Sequence, residues 1–270
     1  MDLQLGGRTA LVTGSSKGIG EAIARTLARE GAVVVVHGRD AAQTRRAAEN
    51  IVEGGGRAHA VLGDLTEEMA VESVVREAEN LAGPIGILVN NAGGSSPGRE
   101  DWSNTRSDSW ASTFDRNVLA ALRVTTRLLP RMRQAHWGRV INISSLAATI
   151  APPNAPDYSA SKAAINAMTA SMAKAVAADG VTVNAVSPGP IHSTTLDVRF
   201  REAAEGLGVD SDAPWEEVER TVLPLFAQVP IGRVGRLDEI ADVVAFLASP
   251  LAAYITGANL RVDGGLSPTL

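Results

Sequence analysis

The chain has 270 residues, 45% hydrophobic and 20% charged, with a formal net charge of -5. That is enough apolar material for a large core, and it leaves no broad basic surface for nucleic acid. There is no cysteine, which excludes disulfides and thiolate zinc sites and fits a reducing cytoplasm. No apolar run approaches the ~20 residues that cross a bilayer, and the first residues, MDLQLGGRTALVTG, lack the pattern of a signal peptide. The expectation is a cytoplasmic protein with no membrane segment.

In chain order, a β-branched run at 9–13 (TALVT) leads through TGSSKGIG (13–20) into a helical pattern at 18–30. Further strand patterns follow at 32–37, 58–63, 86–90, 138–144, 181–187 and 259–262. Helical patterns lie between them at 41–53, 67–81, 109–135, 158–179 and 237–248. Strand and helix alternating in this way predict a Rossmann-type α/β fold, a doubly wound parallel sheet of about seven strands with helices on both faces. Residues 1–270 read as a single domain. Only residues 191–230 depart from the alternation. They contain two helical patterns, 196–206 and 214–226, and read as a substrate lid.

The glycine-rich turn has a physical purpose. Gly14, Gly18 and Gly20 let the chain turn tightly between a strand and a helix, and Ser16, Lys17 and Ile19 complete a loop whose free N–H groups face an anion. A nucleotide pyrophosphate is the expected guest. The second strand ends VVVVHGRD, with Arg39 near its end and no carboxylate before Asp40. A carboxylate there would hold the ribose 2′-hydroxyl of NAD, whereas cations suit a 2′-phosphate. Arg39 and Lys17 together favour NADP(H) over NAD(H).

Tyr158 and Lys162 stand four residues apart at the head of an alanine-rich helix, so they share a face. An ammonium beside a phenol favours the phenolate and lowers its pKa from near 10, which prepares a general acid/base for carbonyl chemistry. Ser145, thirteen residues earlier, is placed to hold the same oxygen; Ser144 is its rival. Alone, the pair also reads as a half-buried tyrosine beside a snorkelling lysine.

With its company, the set resembles the short-chain dehydrogenase/reductase family over about residues 5–265. The motifs are TGSSKGIG (13–20), Asp64-Leu65, NNAG (90–93), Asn117 in FDRNVLA, Ser145, Tyr158-Ser-Ala-Ser-Lys162, SPGPI (187–191) and ITGANLRVDGG (255–265). The resemblance implies a catalytic set of Asn117, Ser145, Tyr158 and Lys162. In it Asn117 holds a helix kink, and Lys162 depresses the tyrosine pKa and bonds the nicotinamide ribose. It also implies that Asp64 and Leu65 meet the adenine, that Asn91, Ala92 and Gly93 line the adenine ribose side, and that Pro188, Gly189 and Ile191, with Ser193, meet the carboxamide. The Ser145 choice over Ser144 follows the family's spacing to tyrosine.

Leu196, Val198, Phe200, Trp215, Val218, Leu223, Leu225 and Phe226 give the lid an apolar side, facing either substrate or core. Glu216, Glu217 and Glu219 read as a solvated face. Trp102 and Trp110 follow NNAG, in a loop that often borders the substrate in this family. His192 reads as a lid-hinge residue, and His37, His59 and His136 have no ligand spacing, so no metal is expected. The basic stretch Arg127–Arg139 reads as a solvated helix end. The alanine-rich helix is apolar on most faces, which points to an oligomer interface, and the family is commonly tetrameric. The expected partner is a small carbonyl or alcohol. The resemblance is nearest to 3-oxoacyl-carrier-protein reductases, but Asp179 would repel an acidic carrier protein, which favours a free ketone or alcohol. A nucleotide-sensing protein on the same fold is the alternative of another class.

Overall fold

The computed structural model describes residues 2–95 and 102–268. The first half alternates strand and helix: β1 (Thr9–Val12), α1 (Gly18–Arg29), β2 (Val33–Gly38), α2 (Ala41–Glu53), β3 (Arg57–Leu62), α3 (Glu68–Ala82) and β4 (Ile87–Asn90). Next come α4 (Ser107–Phe114), a π-helical turn (Asp115–Leu119), α5 (Ala120–Gln134), β5 (Gly138–Ile143), the short α6 (Ala147–Ile150), α7 (Pro156–Val176) and β6 (Val181–Pro188). The chain ends with α8 (Thr194–Glu205), α9 (Trp215–Phe226), α10 (Leu237–Ala248) and β7 (Asn259–Val262).

All strand pairs are parallel, in the order β3-β2-β1-β4-β5-β6-β7. The order reverses between β1 and β4, which opens a crevice at the carboxyl ends of those strands. Strands β1, β4, β5 and β6 are buried along their whole length, so they read as continuous apolar runs rather than alternating ones. One apolar cluster lies under α1, α2 and α10, built on Ile23, Leu27, Ile87, Ile141, Ile240 and Val244. A second lies under α3, α5 and α7, built on Leu11, Val35, Leu88, Val124, Leu128 and Val183. The doubly wound sheet is therefore as the sequence implies, with each strand within about a residue of its expected range.

The helix pattern at 109–135 is interrupted where the resemblance puts a kink: residues 115–119 form a π turn around Asn117, whose side chain is bonded to Gly94 and Ser161. Two expectations change. The 158–179 helix starts at Pro156, where a missing N–H costs nothing, and its last residues tighten to a 3₁₀ turn before Gly180. The basic stretch is also not uniformly solvated. Arg127, Arg131 and Arg133 pair with Glu68, Glu79 and Asp179 at the surface. Arg139, by contrast, points inward from β5, where it is 3% exposed and shares the Trp137 ring with Arg8. A strand buried on both faces leaves its arginine no route to solvent, so the guanidinium is held by the carbonyls of Gly138, Gly180 and Ser249.

Helices α8 and α9 build a small core of their own from Phe200, Ala204, Val218, Val222 and Leu223 with Val229 and Val234. Leu196 and Trp215 pack against it, whereas Val198, Leu225 and Phe226 are half or more exposed. The apolar side read from the sequence thus divides between a private core and open surface. Glu219 is not merely solvated, since it accepts the Val234 N–H at 2.6 Å and ties α9 to the chain beyond it.

Candidate active site

The crevice floor begins at the turn after β1. Gly14 has φ +62°, and a Cβ there would stand 2.8 Å from Ala92 Cα. Gly18 has φ +61° with nothing within 4 Å of a Cβ position, so its backbone is bare at the start of α1. Gly20 is crowded instead, with Asn91 Nδ2 and Gly14 O where a side chain would go. A tight turn, an open amide face and a close helix–strand contact are what a pyrophosphate needs, so the loop fits a dinucleotide. Lys17 is exposed at the N-cap of α1, beside Ser16, and Ile19 packs inward against the core.

The wall after β4 is tied to this turn. Asn91 donates its amide to Thr13 O and Gly14 O, both at 2.9 Å, and the N–H groups of Asn91 and Ala92 share Thr13 Oγ1. Gly93 lies against Asn117. Asn117 Oδ1 accepts the Gly94 N–H at 2.8 Å, and its Nδ2 donates to Ser161 Oγ at 2.9 Å. One buried amide therefore links the loop after β4, the π turn and α7. The wider π turn carries Asn117, and π turns recur at functional sites.

At the end of β2, Arg39 is largely exposed and lies 3.5 Å from Asp64. Asp64 also accepts the N–H and hydroxyl of Thr66, which hold its carboxyl below the usual range, with a smaller contribution from Arg39. Leu65 is buried in the second apolar cluster, and its carbonyl accepts from Arg123. No acidic side chain stands at 37 or 38. His37 fills the first position, and a side chain at Gly38 would meet Ser16 and Thr44.

The residues read from the sequence as catalytic meet at the end of β5. Lys162 is 5% exposed, and its Nζ lies 5.7 Å from the Tyr158 ring centre while donating to Ile143 O at 2.8 Å. Burial brings its pKa down to about 8. Tyr158 departs from the sequence expectation: burial pushes its phenol above the ordinary value, and only the hydrogen bond with Ser145 opposes that. Desolvation penalises the phenolate by more than the Ser145 bond favours it. Between the two serines, Ser144 is turned away, donating to Lys162 O at 3.2 Å, and Ser145 is the one that meets the phenol.

On the far side, Pro188 O accepts the Leu146 N–H, Gly189 packs on Asp263, and Ile191 is buried and bridged to Gly235. The Ser193 hydroxyl caps α8 through Leu196 N. His192 stacks on Trp215 with ring centres 3.7 Å apart and meets Asp197 at 3.1 Å, so it joins the strand end to both helices of the 191–230 segment. Trp102 and Trp110 lie 5.9 Å apart; residues 96–101 of the loop they follow lie outside the described residues. Among the described residues no group of metal-ligating side chains occurs, and no helix is long and apolar enough to cross a membrane.

A family model described as enoyl-(acyl carrier protein) reductase matches residues 14–267. The chain is 34% identical to the 3-oxoacyl-acyl-carrier-protein reductase FabG of Pseudomonas aeruginosa, over 98% of this chain and 99% of that protein. The chain belongs to the short-chain dehydrogenase/reductase family. Among solved members, the L-sorbose reductase of Gluconobacter frateurii, complexed with NADPH and L-sorbose, superposes with a TM-score of 0.92 at 32% identity, covering all of both chains. A 3-oxoacyl (acyl-carrier-protein) reductase from Agrobacterium tumefaciens with NADP bound gives 0.85 at 33% identity, over 98% of this chain and 96% of that one. As a short-chain dehydrogenase/reductase, the protein is an oxidoreductase of a family that binds a nicotinamide cofactor.

What the sequence left unread in this family member is His37 and Ser15. Ser15 is fully buried, donating to Val12 O at 2.6 Å and accepting the His37 N–H at 3.0 Å. A histidine closing a run of four valines is a signal that something polar waits at the strand end, but the pattern alone does not say what.

Proposed function

We propose that the chain is an NADP(H)-dependent oxidoreductase that interconverts a ketone and a secondary alcohol on a free small molecule. The observation that carries it is the meeting of Ser145, Tyr158 and Lys162 at the end of β5. In the reducing direction the Tyr158 hydroxyl gives its proton to the carbonyl oxygen as the C–O bond becomes an alcohol, and the Ser145 hydroxyl orients that oxygen. The buried Lys162 ammonium stabilises the phenolate left behind. Asn117 keeps α7, and with it Tyr158 and Lys162, in register with the loop after β4. The nicotinamide supplies or accepts the hydride when bound. Lys17 and Arg39 would take the 2′-phosphate, with Arg39 leaving Asp64 to do so, and the absence of a carboxylate at 37 and 38 supports NADP(H). The NADPH and NADP found in the two relatives support the same choice.

A 3-oxoacyl thioester on a carrier protein is the second reading, supported by the names of several relatives at 34–36% identity. Asp179 is the residue that weighs against it, although its charge is partly offset by Arg133 at 2.6 Å. The exposed side of α7, with Ala163, Ala167, Ser171 and Lys174, fits a helix-packed homotetramer in the cytoplasm.

The test is a titration with NADPH and NADH, followed by turnover on ketones, ketoses and acyl thioesters at the nicotinamide absorbance. NADPH preference and turnover that disappears in Tyr158→Phe, with nucleotide binding retained, are expected. Preference for NADH would sink the cofactor reading, and binding without turnover on any substrate in either direction would favour a sensor.

A further inference from the structure

His37 is the one buried imidazole that the catalytic reading leaves without a task, and both of its ring nitrogens are engaged. Nδ1 accepts the Gly14 N–H at 3.1 Å, and Nε2 lies 3.1 Å from Gly63 O. Because a carbonyl can only accept, Nε2 carries the proton and Nδ1 is the bare acceptor, which sets a single neutral tautomer. Its backbone is tied to the same place: Ser15 N donates to His37 O at 2.8 Å, and His37 N donates to Ser15 Oγ.

The two segments that the ring joins lie at the carboxyl ends of β1 and β3, where the NADP(H) reading puts the phosphates and the adenine. Gly14 opens the glycine turn, and Gly63 immediately precedes Asp64 at the end of β3. Both segments are anchored to β2 by backbone bonds, Ser15 N to His37 O and Gly63 N to Gly38 O at 3.3 Å, and the imidazole is the side chain that bridges Gly14 to Gly63. The ring is 2% exposed, with Asp64 and Arg39 the charged groups nearest it, so it faces the protein rather than a ligand.

We propose that His37 is a positioning residue of the cofactor site, a neutral spacer that holds the glycine turn to the end of β3 and so shapes the turn for the dinucleotide phosphates. This rests on the NADP(H) reading above. The turn is the sensitive member of the two. Gly14 sits at φ +62°, and the Gly14 N–H has the imidazole as its acceptor. If that acceptor is lost, the amide must turn to find another, and the open N–H face beside Gly18 turns with it.

The experiment compares His37→Asn, His37→Gln and His37→Leu in the full chain. An asparagine carbonyl can stand where Nδ1 stands and keep the Gly14 bond. A glutamine amide reaches the Nε2 place and keeps only the Gly63 bond, and leucine keeps neither. NADPH Kd is read by nicotinamide fluorescence, kcat and KM for NADPH by turnover, and Tm without nucleotide. Expected are a Kd and KM raised about 10- to 100-fold in Gln and Leu, kcat at saturating NADPH within about twofold of wild type, and Asn nearer wild type than either. Two losing variants are used so that one that does not fold leaves the other to decide. Equal weakening in all three, unchanged Kd with a lowered Tm, or a fall in kcat at unchanged KM would each overturn the spacer. Failure of the wild type to bind NADPH would instead sink the cofactor reading, and this proposal with it.

Discussion

Acidification should separate His37 from every other ionisable group. Burial lowers its pKa from 6.5 to about 4, partly offset by the Gly63 carbonyl and Asp64, with Arg39 adding to the fall. The unfolded chain takes up a proton near pH 6.5, and the folded protein refuses it until about 4. Between those values the unfolded state binds more protons, so stability falls as pH falls, and above 6.5 the effect is absent. At about 1.4 kcal/mol per pH unit, the loss by pH 4.5 is between about 2 and 3 kcal/mol, a large share of a typical 5–15 kcal/mol. Other shifted groups act elsewhere. Lys162, lowered from 10.5 to about 8, changes stability only across that alkaline range. Asp108 and Glu239, drawn down to about 2 by Arg106 and Arg233, lose their contribution only below the ordinary carboxylate range. The assay is urea unfolding at pH 7.5, 6.5, 5.5 and 4.5, at one protein concentration, for wild type and His37→Gln. Wild type should lose about 2 to 3 kcal/mol more than the variant over that span. Parallel curves for the two proteins would refute the neutral buried imidazole.

Three further outcomes are expected. Asn117→Ala removes the acceptor of Gly94 N–H and the donor to Ser161, costs about 2–4 kcal/mol, and lowers kcat more than nucleotide affinity; unchanged kcat would show that the π turn is scaffold only. Phe200→Ala empties the core between α8 and α9, where Phe200 meets Trp215 and Phe226, at a cost of about 3–5 kcal/mol. Because that cluster is separate from the two under the sheet, hydrogen exchange should rise in 191–230 and KM for substrate with it, while NADPH binding holds; a uniform rise across the sheet would contradict this. Arg39→Ala should cut the preference for NADPH over NADH about 10- to 100-fold, read as the ratio of kcat/KM values, and an unchanged ratio would make Arg39 a surface charge.

The alternation of β-branched runs with amphipathic segments was sufficient by itself to determine a doubly wound parallel sheet. Strands buried on both faces must be continuously apolar, and only crossover helices can cover them. The same one-dimensional logic located Gly14, Gly18 and Gly20 at a strand–helix junction and placed Tyr158 one turn from Lys162, since both are local spacings. What only the tertiary structure decided involves groups distant in the chain. The resemblance put a kink at Asn117, but that it is a π turn whose amide joins Gly94 to Ser161 is recorded in no helical periodicity. Arg139 looked like part of a basic stretch until strand pairing turned it inward beneath Trp137. The Tyr158 phenol is pushed up rather than down, because burial penalises the phenolate, and spacing along a helix does not record burial. His37 became the node of the crevice only when Gly14 and Gly63, 49 residues apart, were brought to either side of its ring.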